Sequence, residues 1–377
     1  MNKIRRVLRC NHCGAVLQAD NPEEEGYIRR DVFEYTGDRI LYCDKCYDLK
    51  MINIEKHTGE TNHTVCTILR DAEATDSLVV YVIDAIAFNG TLKPDLVEKL
   101  KRVNVLVIVN KCDLLPEKAK EEHIKDAVNA HFEEYGIKPV DVLLISANKN
   151  YRIEELKEKL EQYRNKRDIY MIGSVISGKT TIIDKLLMNY NNKTNRKIEQ
   201  VAFPGTKSNV LVIPIDNSSN LYELPGLELN DSVLGIVEKS VVNKYIIAKK
   251  SIKERKFRLG EDDSLVIGGL AVYTNKSEQP IELKACFSEN VELKKVGKKG
   301  LTLFFKTNLI KRELRPISEN LQQFENFDLF QIETDNSGEE HEIAIKGLGW
   351  VDYKAQGNII NVLTPRGAGV KEGKSRI

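Results

Sequence analysis

The sequence predicts an α/β domain on a mainly parallel sheet, set between a cysteine-bearing N-terminal domain and a β-rich C-terminal one. Three observations carry this. From about residue 57 to 235, apolar strand-like runs alternate with charged helical stretches, the pattern of a parallel sheet with crossover helices. Both C-x-x-C pairs fall in the first 56 residues. Beyond residue 236 a basic segment leads into short alternating runs broken by Gly, Asn and Lys, which reads as an α+β domain rich in strand. A length of 377 residues accommodates these three parts, 1–56, 57–235 and 236–377.

Composition narrows the function classes. With 41% apolar residues, 30% charged residues and a net charge of +1, bulk attraction to nucleic acid or membrane is excluded, so any basic surface must be local. No apolar run reaches the length of a membrane span, and the basic start MNKIRRVLRC has no apolar stretch fit for a signal peptide. Seven cysteines, four of them in C-x-x-C pairs, suggest metal binding in a reducing cytoplasm rather than a disulfide framework.

Cys10-Asn-His-Cys13 and Cys43-Asp-Lys-Cys46 supply four thiolates, a set suited to tetrahedral structural zinc. Tyr27, Phe33, Tyr35 and Tyr42 would form a small core that the metal stabilises, because so short a segment buries little on its own. The competing reading is four buried or redox cysteines. Spacing alone names no partner for such a platform.

The central domain carries nucleotide motifs. Val103–Val109 reads as a buried strand ending in Asn110-Lys111-Cys112-Asp113, beyond a strand's carboxyl end, where ligands sit in this class of sheet. The Asp113 carboxylate can accept from both the ring N–H and the exocyclic amine of guanine, a pair that adenine lacks. The Lys111 stem can lie over the base, and Asn110 can tie neighbouring loops together. A second run, Val142–Ile145, ends in Ser146-Ala147-Asn148, where the Ala147 N–H can donate to the guanine carbonyl.

A third run leads into GSVISGKTT, Gly173 to Thr181, with the G-x-x-x-x-G-K-[ST] spacing. Backbone N–H groups from Gly173 through Ser177 and Gly178 to Thr181 would wrap the phosphates at a helix start. Lys179 would reach the β- and γ-phosphates, and the Thr180 hydroxyl would hold Mg²⁺. Phe203-Pro-Gly-Thr206 offers Thr206 as a threonine that senses Mg²⁺ and γ-phosphate. Leu221-Tyr-Glu-Leu-Pro-Gly226 is similar to the x-D-T-P-G element, with Glu223 near Mg²⁺ and the Gly226 N–H facing the γ-phosphate. The base reader thus precedes the phosphate loop. Moving the first two motifs to the end restores the usual order, so the domain reads as circularly permuted, its original ends joined through Arg164-Asn-Lys-Arg167.

Taken together, these motifs resemble the circularly permuted GTPases, and most closely the YqeH family of bacterial ribosome-assembly GTPases. The resemblance rests on CNHC and CDKC, Asp84-Ala-Ile-Ala-Phe88-Asn89-Gly90, NKCDLLP, ISAN, GSVISGKTT, FPGT and Gly347-Leu-Gly-Trp350, and so spans nearly the whole chain. It implies a P-loop fold and a cytoplasmic zinc protein that binds GTP/GDP with Mg²⁺ and hydrolyses GTP. It also implies action on the small (30S) ribosomal subunit or its precursor, through rRNA or a ribosomal protein. Three positions matter for hydrolysis. Ile176 stands where the family pattern has an Asn that can help bind potassium, Glu223 replaces the aspartate, and Leu227 is not a water-orienting glutamine, although the family tends to have an apolar residue there too. Hydrolysis is therefore expected to be slow or partner-assisted.

In the C-terminal third, Lys244, Lys249, Lys250, Lys253, Arg255, Lys256 and Arg258, and later Lys294, Lys295, Lys298 and Lys299, can meet RNA phosphates or form a solvated surface. Leu283–Phe287 and Leu301–Phe305 alternate like half-buried strands, and Trp350 reads as a core anchor. Three readings follow: a GTP-dependent assembly factor, a nucleotide-sensing scaffold with little turnover, and a zinc-dependent RNA-binding protein with a vestigial nucleotide site.

Overall fold

A computed structural model describes residues 15, 17–30, 43–44, 60–87, 92–189, 199–202, 209–227, 231–298, 300–311, 314–321, 323 and 326–377. The chain divides into two compact units, Met1–His63 and Thr64–Ile377. In the first, Gln18 and Tyr27 form a bridge closed by Gln18 N–H donating to Gly26 at 3.0 Å. Asp44 N–H donates to the Tyr27 carbonyl at 2.7 Å, and the neighbouring Cys43 is buried. Cys10, Cys13 and Cys46, with Phe33, Tyr35 and Tyr42, lie outside the described residues. The same holds for Thr206.

The second unit holds residues 64–74 of helix α1 (Glu60–Ala74) and a seven-stranded sheet. Its strands are β1 (Leu78–Asp84), β2 (Asn104–Asn110), β3 (Asp141–Leu144), β4 (Ile169–Gly173), β5 (Glu199–Ala202), β6 (Asn209–Pro214) and β7 (Asn220–Glu223), in the order β3-β2-β1-β4-β7-β6-β5. All pairings from β3 to β7 are parallel, whereas β6 pairs antiparallel with both β7 and β5. Helices α2 (Pro94–Leu100), α3 (Glu121–Glu133), α4 (Ile153–Arg164) and α5 (Lys179–Asn189) supply the connections.

Alternation within the strands explains why they read as continuous apolar runs. Val79, Tyr81, Ile83, Val105, Val107 and Val109 face one core, and Leu78, Val80, Val82, Leu106 and Ile108 face the other. Both faces are covered, so apolar residues, most of them β-branched, serve at successive positions. The join between α4 and β4 is short. Asn165 and Lys166 turn the chain with φ of 48° and 62°, and the buried Arg164 pairs with Glu161 and Asp216.

The remaining chain forms two five-stranded antiparallel sheets. One has the order β12-β9-β10-β16-β13: β12 (Leu293–Val296), β9 (Ser264–Ile267), β10 (Ala271–Asn275), β16 (Ile359–Pro365) and β13 (Phe327–Glu333). The other has the order β17-β14-β15-β11-β8: β17 (Val370–Lys374), β14 (Glu340–Ile345), β15 (Gly349–Lys354), β11 (Ile281–Phe287) and β8 (Arg255–Leu259). Trp350 is fully buried, as a core anchor should be. The stretch from Leu301, read as a strand, is instead helix α6 (Leu301–Lys311). Phe304, Asn308 and Leu309 repeat at helical spacing and turn inward while Leu303 is 73% exposed, and a short apolar run cannot separate the two periods.

The nucleotide-type sheet and the β-sandwich share one apolar core. Ala248, Ile252, Cys286, Ala344 and Trp350 pack in the cluster that contains Val107, Tyr170 and Phe132. Ile252 N–H donates to the Leu114 carbonyl at 2.8 Å and the Ser251 hydroxyl to that of Leu115 at 2.9 Å, just beyond the NKCD segment.

Candidate functional site

The parallel strands bring scattered motifs to one edge. NKCD leaves the carboxyl end of β2, SAN follows β3, the glycine-rich loop follows β4, and Glu223 ends β7. Because these strands are parallel neighbours, every one of those loops emerges on the same side of the sheet.

Asn110 joins the pieces. Its side-chain amide donates to the Ser177 carbonyl at 2.9 Å, and its Oδ1 accepts from the Ala147 N–H at 3.1 Å. One buried side chain, 2% exposed, thus links the NKCD segment to the glycine-rich loop and to the SAN segment. Ser146 and Tyr151 close that last loop through reciprocal backbone bonds of 2.9 and 3.3 Å, which aims Ala147 inward. The Ala147 N–H expected to face guanine is therefore already shared with Asn110. Asp113 is half-buried in a 3-10 turn, Cys112–Leu114.

Lys111 adopts a left-handed backbone, φ 68° and ψ 31°, a conformation that a non-glycine residue keeps only when its surroundings hold it. Its ammonium meets Asp84 at the end of β1, whose Oδ2 lies 2.5 Å away. Asp84 Oδ1 accepts from the Ile86 N–H at 2.9 Å, and the Ala85 N–H donates to the Asn110 carbonyl at 2.9 Å. Asp84 opens the segment Asp84–Gly90, where the sequence alone assigns it no role. Asp84 and Lys111 stand 27 residues apart, and nothing in the sequence signals their pairing.

The loop after β4 folds as a cradle. Gly178 has φ +90°, and a Cβ there would stand 2.4 Å from the Asn110 amide nitrogen, so only glycine lets the loop meet the base reader. Ser177 is buried, with its hydroxyl donating to the Ser174 carbonyl at 2.8 Å. Gly226 lies against the loop, where a Cβ would meet the Val175 Cα at 2.8 Å, and the Leu227 N–H donates to the Gly173 carbonyl at 2.9 Å. Leu227 is itself buried in the core, so it cannot orient a water molecule.

Lys179 opens α5 and is 6% exposed, its ammonium donating to the carbonyls of Gly173 and Ser174 at 3.0 and 3.3 Å. Burial pushes its pKa down to about 8, against a smaller upward pull from Glu223. Thr180 and Glu223 meet, hydroxyl to carboxylate, at 2.7 Å. These two oxygens lie on the loop's exposed side, a donor set that suits the hydrated shell of a hard divalent cation. Thr181 follows in the first helical turn.

No family model matches the chain. Among curated proteins it is similar over its whole length to the "Uncharacterized protein YqeH" of Bacillus subtilis, 27% identical across 98% of this chain and 99% of that one. The chain is similar to the circularly permuted GTPases related to YqeH. It also resembles human nitric oxide-associated protein 1, 26% identical over 56% of this chain and 37% of the relative. An 85-residue stretch is 41% identical to GTPase Era of Thermoanaerobacter sp., covering 22% of this chain and 26% of Era. Among solved structures, YjeQ from Thermotoga maritima aligns over 41% of this chain and 51% of its own at 20% identity, with a TM-score of 0.25. Among the described residues, no helix of this YqeH-related protein is long and apolar enough to cross a membrane.

Proposed function

We propose that this protein binds guanine nucleotides between Asp113 and the loop Gly173–Thr181, hydrolyses GTP, and acts in assembly of the small ribosomal subunit. The bridge from Asn110 to Ser177 and Ala147 is the observation that supports a single pocket most strongly. Asp113 reads the base edge, Lys111 lies along its face, and Ala147 shares its N–H with the guanine carbonyl. Backbone N–H groups of the loop and the Lys179 ammonium hold the phosphates. Thr180 and Glu223, joined by Thr206, would hold Mg²⁺, which neutralises charge on the phosphates. Gly226 presents its N–H to the terminal phosphate.

Ribosomal action follows from the family resemblance and from local basic charge. Lys244, Lys249, Lys250, Lys253, Lys256 and Arg258 are exposed, in a chain whose net charge is only +1. Lys256 lies 3.6 Å from Glu282, and Lys295 and Lys298 are paired with Asp263 and Asp262. A surface of this kind binds RNA with strong salt dependence. Cys10, Cys13, Cys43 and Cys46 would hold structural zinc in the N-terminal unit, and the expected compartment is the cytoplasm.

A second reading has its own support. Ile176 offers no oxygen for a potassium ion, Glu223 is longer than the usual aspartate, and Leu227 is buried. A nucleotide-sensing scaffold with negligible turnover would carry these features. Affinities for GTP and ATP test the common ground of both readings, and equal binding of the two would end them. Steady-state phosphate release, with and without potassium and small subunits, separates a GTPase from a scaffold.

A further inference from the structure

Arg376 lies in the β-sandwich, yet it reaches the segment that holds the base reader. Its guanidinium is fully buried and forks onto Glu342, with Nε to Oε2 at 2.7 Å and Nη2 to Oε1 at 2.5 Å. The fork lies over the Trp350 ring, 4.3 Å from its centroid. Its remaining nitrogen, Nη1, points out of the sandwich to the backbone carbonyls of Ala85 and Ile86, at 3.4 and 3.5 Å. These two residues directly follow Asp84, the partner of Lys111.

The contacts form an unbroken path. Glu342 on β14 fixes the guanidinium, and the guanidinium caps the carbonyls of the turn Asp84–Ala87. That turn presents the Asp84 carboxylate to Lys111 and the Ala85 N–H to the Asn110 carbonyl. A planar, permanently charged fork serves here because it binds a carboxylate with two nitrogens and still has a third to donate; an ammonium cannot span both.

We infer that Arg376 is a positioning residue for guanine recognition, coupling the β-sandwich to the base-reading motif through Asp84 and Lys111. This rests on the nucleotide reading of the site. Coupling between binding events is reciprocal, so a partner that displaces β14 or the Ser375–Arg376 segment weakens GDP binding, and GDP in turn disfavours that displacement.

The test uses the full chain and measures GDP affinity together with affinity for inorganic pyrophosphate, which touches only the phosphate loop. In the double variant Glu342→Leu/Arg376→Met the buried ion pair becomes an apolar pair of similar bulk, a change that cores commonly accept. GDP binding is expected to weaken about threefold to thirtyfold, the range for variants along a coupling path. Pyrophosphate binding and thermal melting stay at wild-type values. Arg376→Lys keeps a cation beside Glu342, changes GDP binding in the same direction by less, and carries the test if the double variant does not fold. Unchanged GDP affinity in a folded variant overturns the inference, as does an equal loss for pyrophosphate, which marks general loosening. Wild-type protein that fails to prefer GDP over ADP instead defeats the nucleotide reading itself.

Discussion

Lys179 gives the loop an electrostatic signature that a stability measurement can read. Its ammonium is nearly fully buried and its pKa lies near 8, against the usual 10.5. Folding therefore releases a proton from this group between pH 8 and 10.5, because the unfolded chain binds it more tightly. Stability consequently rises with pH across that window, opposite to a lysine that gains a partner on folding. Below pH 8 both states are protonated and the full desolvation cost is present. The integrated gain is about 1 kcal/mol by pH 9 and about 2–3 kcal/mol by pH 10. Lys179→Met has no proton to lose, so comparison with it cancels every other titrating group. Urea denaturation of both proteins at pH 7, 9 and 10 should show wild-type stability climbing relative to the variant by these amounts. A difference that stays flat across the three pH values would refute the burial argument. The same logic predicts that GDP binding near pH 8.5 takes up protons, since a phosphate restores the charge on Lys179; calorimetry in buffers of differing ionisation enthalpy reads this directly.

Three further outcomes follow from the site. Asn110→Ala removes the bonds to Ser177 and Ala147, and should cost about 1–3 kcal/mol of stability and weaken GDP binding at least fivefold, checked by urea melts and fluorescent-nucleotide titration. Gly178→Ala places a methyl 2.4 Å from the Asn110 amide at φ +90°, so stability should fall by more than about 1 kcal/mol and GDP binding should be lost, read by the same titration. Ile176→Asn combined with Glu223→Asp should raise potassium-dependent phosphate release by about tenfold or more if these side chains limit turnover, and an unchanged rate would assign the limit elsewhere.

Much of the fold is legible because burial imposed a simple code. The strands β1, β2 and β4 lie between two cores, so Leu78–Asp84, Asn104–Asn110 and Ile169–Gly173 are written almost entirely in apolar residues. Glycine spacing and strand-end polar residues then marked the loops. The α6 helix was misread because five residues from Leu301 fit either period, and what decides it is the sandwich core receiving Phe304 and Leu309. The pairing of Lys111 with Asp84, and the reach of Arg376 to Ala85, could not be read from the sequence. Those contacts span 27 and 291 residues and depend on which strands become neighbours. The shared core between the sheet and the sandwich is hidden for the same reason, since Trp350 and Ala344 look like ordinary strand residues wherever they pack.

Motifs out of their usual order should enclose one guanine nucleotide, and a crystal structure with GDP and Mg²⁺ tests this most directly. The expected result has the base edge on Asp113, the Lys111 stem along its face, and the β-phosphate within the loop Gly173–Thr181, beside Lys179. A nucleotide whose base lies away from Asp113 while its phosphates occupy that loop, or one bound elsewhere on the chain, would contradict it.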